Sequence, residues 1–69
     1  MKQLQEKILN RLIMEFTMDS DNTQFWNWVR STGEYEYEID IATRVVKNKT
    51  NIMFAVQMVE KEKNIILMF

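Results

Sequence analysis

Glu34-Tyr35-Glu36-Tyr37-Glu38-Ile39-Asp40-Ile41 alternates acidic and apolar side chains over eight consecutive positions. A period of two is the signature of a β-strand with one dry face and one wet face. Read that way, Glu34, Glu36, Glu38 and Asp40 form a row of negative charge. Tyr35, Tyr37, Ile39 and Ile41 form the apolar face.

The flanking segments extend this frame. Residues 23 to 30 contain Thr23, Phe25, Trp26, Trp28 and Val29, side chains that favour strands. With Ser31-Thr32-Gly33 as a three-residue hairpin loop and Gly33 left-handed, Arg30 faces Glu34, Val29 faces Tyr35 and Phe25 faces Ile39. These are favourable cross-strand pairs. The alternative for this segment is a helix capped by Asp21, with Gln24 at the third position, and ended by Gly33. The pairing across the loop favours the strand. The strand from Glu34 is expected to run to about Val46. A turn at Lys47-Asn48-Lys49-Thr50 then pairs Val45 with Ile52, Thr43 with Phe54, Ile41 with Val56 and Ile39 with Met58. A last turn around Glu62-Lys63 pairs Met58 with Leu67 and Val56 with Phe69. All these pairs fall on the Tyr35/Tyr37 face, which a slip of one residue would scramble.

Upstream the period changes. Leu4, Ile8, Leu9, Leu12, Ile13 and Phe16 recur at helical spacing with no Gly or Pro between them. Residues 2 to 17 therefore read as an amphipathic helix, ended by the turn formers Asp19-Ser20-Asp21-Asn22. The expected fold class is α+β, an N-terminal amphipathic helix packed on a three- or four-stranded antiparallel β-meander. The 69 residues make one small domain, 1–69.

Composition narrows the functions available. There is no Cys and no His, which removes catalytic triads, thiol nucleophiles and the usual zinc ligands. One glycine cannot build a phosphate-binding loop. Asp19-Ser20-Asp21 begins like a calcium loop, but Gln24 stands at the sixth place and Arg30 at the twelfth, so the motif fails. Asn48-Lys49-Thr50 matches a glycosylation sequon that is set aside as chance, because no signal peptide precedes it. The first eighteen residues are broken by Lys7, Arg11 and Glu15, which leaves no targeting segment or membrane span. The expectations are therefore no catalysis, no cofactor, no metal, no membrane partner and a cytoplasmic location.

Net charge is −1 but it is segregated. Glu15, Asp19, Asp21, Glu34, Glu36, Glu38 and Asp40 face only Arg30 between positions 15 and 40, a local charge of −6. After Asp40, Arg44, Lys47, Lys49, Lys61 and Lys63 against Glu60 and Glu62 leave +3. Broad nucleic-acid affinity rests on phosphate neutralisation, which this balance opposes.

In the meander, one helix covers one face of the sheet. The other face then carries Trp26, Trp28, Met53, Ala55, Val59, Ile66 and Met68 beside the acid row, and uncovered apolar patches with Trp and Met mark interfaces. The expected partner-binding residues are Trp26, Trp28, Glu34, Glu36, Glu38, Asp40, Met53 and Met68. Their function is expected to be non-catalytic protein binding, as a small inhibitor or adaptor whose acidic strand face meets a basic partner. Small size and rich Asn, Lys, Ile and Met usage are compatible with a phage-encoded host-takeover or anti-defence protein. The alternatives are a homo-oligomer that closes its own second sheet face, and a weak single-stranded nucleic-acid binder that stacks bases on Trp26 and Trp28 near the lysines.

Overall fold

The computed structural model describes residues 3–67, and the side-chain surroundings of residues 3–63. The described residues form four helices: α1 (Glu6–Thr17), α2 (Thr23–Thr32), α3 (Glu36–Lys47) and α4 (Ile52–Leu67). Among the described residues there is no strand. The fold is all-helical, which overturns the α+β meander and its antiparallel sheet.

The deciding stretch shows why. Any period-two pattern also repeats at i, i+4, so its apolar positions still pair along a helix. At 100° per residue, Tyr37, Glu38, Ile41 and Ala42 fall on one side of α3, and these four are its buried residues. Nothing between Glu34 and Lys47 is Gly or Pro, and Glu is a good helix former. The strand expected over 34–46 is therefore α3, and the expected turn around Glu62-Lys63 lies inside α4.

The ends of the helices have local causes. Asn22 caps α2, its side-chain oxygen accepting the Phe25 N–H at 3.2 Å. Gly33 ends α2 at φ 68, a left-handed conformation that glycine adopts without penalty. Ser31-Thr32-Gly33 is thus a helix terminus and not a hairpin loop. Arg44 and Lys47 stand in the last turn of α3, where they complement the helix dipole. The Thr50 hydroxyl donates to the Arg44 carbonyl at 3.2 Å, and the Asn51 side chain accepts the Phe54 N–H at 2.7 Å. The segment 47–50 consequently joins two helices and pairs no strands.

α3 is the central helix and packs against both α1 and α4. The core is Leu9, Leu12, Val29, Tyr37, Ile41, Ala42, Ala55 and Val59. Burying a Leu, Ile or Val side chain contributes about 1.5–3 kcal/mol, so this short list carries much of the stability of so small a chain. Ala42 on α3 and Ala55 on α4 are fully buried. Ile52 and Phe54, expected on the inner face of a sheet, are exposed on the first turn of α4. The expected inner-face residues Ile65, Leu67 and Phe69 have side chains outside the described residues.

Candidate protein-interaction surfaces

The acid row does not survive as a row. Glu36 and Asp40 lie one turn apart on α3, whereas Glu38 lies 200° away from Glu36. Glu38 is fully buried. Its Oε2 accepts the Gln5 N–H at 3.0 Å, while its Oε1 has no hydrogen-bond partner. Gln5 is the N-cap of α1 and offers no side-chain cap of its own. Glu38 therefore caps α1 from the neighbouring helix, where a carboxylate also meets the positive end of the helix dipole.

Asp40 accepts Arg44 Nε at 3.0 Å, and the same guanidinium forms a two-pronged pair with Glu62 on α4. The hydrogen bonds it donates to Glu62 and Asp40 hold the Arg44 guanidinium protonated to still higher pH. Glu34 is exposed in the α2–α3 link, with its N–H donated to Thr32 Oγ1 at 3.2 Å. Glu36 is exposed in the first turn of α3. Of the four acids expected to line one face, only Glu34 and Glu36 stand exposed together.

The two tryptophans also part company. They are two positions apart on α2 and point to different sides. Trp26 is half-buried, with its ring centroid 4.7 Å from Phe16 and 5.3 Å from Phe25, and with Arg30 over its ring at 5.1 Å. It belongs to the packing of α2 on α1. Trp28 is 49 % exposed. It stands 5.7 Å from Tyr35 and 6.1 Å from Phe25, so three rings run along one side of the α2–α3 corner.

Cations occupy several rings of this protein. Arg11 lies over Phe25 at 4.9 Å and Lys63 over Tyr37 at 4.6 Å, in addition to Arg30 over Trp26. Among the described residues none lies over Trp28 or Tyr35. Tyr37 itself is committed to the core. Its hydroxyl donates to Glu60 Oε1 at 2.6 Å. Burial, reinforced by the Glu60 hydrogen bond and the charges of Glu60 and Glu38, pushes the phenol up to about 12.

A second surface lies at the start of α4. Ile52, Met53 and Phe54 are all exposed, Met53 by 74 %. Exposed Lys47 and Lys49 immediately precede them. Met53 was anticipated as a surface residue, although on a sheet face that does not exist. Ile52 and Phe54 were assigned to the core. The Asn51 cap followed by an apolar run is the sequence signal for this exposed first turn. Met68 lies outside the described residues.

Among the described residues there is no cavity and no group of three or more side chains able to hold a metal ion. No helix is long and apolar enough to cross a membrane. The candidate sites are therefore two surfaces, one aromatic and acidic, the other apolar and basic. Compared with family models, curated proteins and solved structures, the chain matches none.

Proposed function

We propose that this protein is a non-catalytic protein-binding module, an inhibitor or adaptor that occupies a basic surface of its partner. The observation that supports this is the half-exposed Trp28 ring beside Tyr35, with no cation on it among the described residues, next to exposed Glu36. Phe25, Trp26 and Tyr37 show how readily this fold pairs rings with Arg and Lys. An Arg or Lys of the partner fits the open ring, where a cation–π contact contributes about 0.5–2 kcal/mol. Glu36 would steer and orient such a cation. Trp and Arg are also the residue types that carry most binding energy at interfaces.

The single-stranded nucleic-acid reading draws little support. Trp26 is covered by Phe16 and Arg30, so the two indoles do not form a joint stacking platform. The exposed carboxylate of Glu36, which follows Tyr35 in the chain, repels phosphate.

The test is affinity capture from the native cell with three baits: the parent chain, Trp28→Ala and Glu36→Lys. A protein retained by the parent and lost from both variants is the expected result. Capture that is unchanged with both variants would overturn the reading.

A further inference from the structure

The open side of α3 is self-complementary. Glu36, Asp40, Thr43 and Lys47 follow at i, i+4, i+7 and i+11, so Glu36 and Lys47 lie within about 20° of one another around the helix and about 16 Å apart along it. This stripe points away from buried Tyr37, Glu38, Ile41 and Ala42. Its acidic end carries Glu36 and its basic end carries Lys47, both exposed. A two-fold axis perpendicular to such a helix sets the acidic end of one copy on the basic end of the other, twice over.

Each end also has an apolar neighbour. Trp28 and Tyr35 precede the acidic end, and Ile52, Met53 and Phe54 follow the basic end. We infer that a second copy of this chain docks on the open side of α3 in an antiparallel two-fold dimer. Glu36 of each copy meets Lys47 of the other, and Trp28 of each meets the Ile52–Phe54 turn of the other. The exposed ion pairs set orientation and register more than affinity. Affinity comes from desolvating Trp28, Met53 and Phe54.

The dimer uses the same Trp28 face as the basic partner proposed above, so the second copy and that partner exclude one another. Self-association thereby rests on that face while remaining measurable without any partner.

The test is sedimentation of the pure full chain from about 1 to 500 µM at low salt, with helicity checked for every variant. The parent is expected to move from 8.4 kDa toward twice that mass as concentration rises. Glu36→Lys alone sets two lysines against one another at each end, and Lys47→Glu alone sets two glutamates against one another. Each is expected to weaken dimerisation at least tenfold. An equimolar mixture of the two variants restores opposite charges at both ends and is expected to sediment as a heterodimer. Met53→Ser, at a 74 % exposed position, is expected to weaken the dimer with helicity intact. A parent that stays monomeric throughout, a dimer indifferent to the single reversals, a mixture that stays monomeric, or growth beyond the dimer would each overturn the inference. A monomeric parent whose cellular capture still depends on Trp28 would remove the dimer and leave the partner reading standing.

Discussion

Gln5 and Glu38 join the first turns of two helices that are 33 residues apart in sequence: the Gln5 N–H donates to Glu38 Oε2 at 3.0 Å. α1 and α3 consequently start at the same end of the molecule. The short Tyr37–Glu60 bond likewise ties the start of α3 to the later half of α4. α3 is thus pinned at its first turn to both of the helices that pack against it.

That relationship sets the first expectation. Glu38→Ala removes the cap of α1 and leaves a hole among buried residues. It should lower stability by about 2–4 kcal/mol, combining a lost cap with a cavity. Glu38→Gln keeps an oxygen for the Gln5 N–H and should cost clearly less. Urea midpoints for the two variants check the order, and an Ala variant as stable as the Gln variant would refute the cross-helix cap.

Tyr37 gives a pH dependence with a fixed sign. Its phenol is pushed up to about 12, above the ordinary value of about 10. The folded state therefore holds this proton after the unfolded chain has released it. The stabilisation is whole below about pH 10 and is lost as pH rises through about 12, at most about 2–3 kcal/mol. Glu60, Glu38 and Lys63 face the ring and are the groups that a mutational control must keep. Absorbance titration of tyrosinate should show a transition near 12 that disappears in Tyr37→Phe. A parent protein whose Tyr37 ionises near 10 while folded would contradict this.

Gly33 tests the helix terminus. Its φ is +68 and a Cβ there would meet nothing within 4 Å. The cost of Gly33→Ala is therefore backbone strain alone, about 1–2 kcal/mol. Gly33→Asn, which tolerates the left-handed region, should cost less. Thermal melts of the three proteins check this. An Ala variant that melts with the parent would mean α2 does not end in this conformation.

The tryptophans offer a contrast within one helix. Trp26→Ala removes a ring packed on Phe16 and Phe25 and should destabilise the fold by about 2–4 kcal/mol. Trp28→Ala should change stability by about 1 kcal/mol or less. In the single-Trp proteins, acrylamide should quench Trp28 strongly and Trp26 weakly. Equal quenching would remove the distinction between a packing ring and a binding ring.

Three features are legible in the chain alone: the amphipathic N-terminal helix, the turn after it, and the left-handed glycine at position 33. Each depends on local chemistry, the 3.6-residue spacing of Leu9, Leu12 and Phe16, the Asx-rich turn, and the one residue without a Cβ. The sequence also determined the absence of His and Cys and the segregation of charge. It did not decide the state of residues 34 to 41, because strict alternation satisfies a strand at period two and a helix at i, i+4 alike. Hairpin register then appeared consistent because the same degeneracy runs on through the chain. Tertiary structure decided the matter by packing both α1 and α4 against α3, which rewards the one buried side made by Tyr37, Glu38, Ile41 and Ala42. It also decided the acids. Glu36 stays wet, Asp40 takes Arg44, and Glu38 goes into the core because the uncapped start of α1 arrives there with a backbone N–H to satisfy.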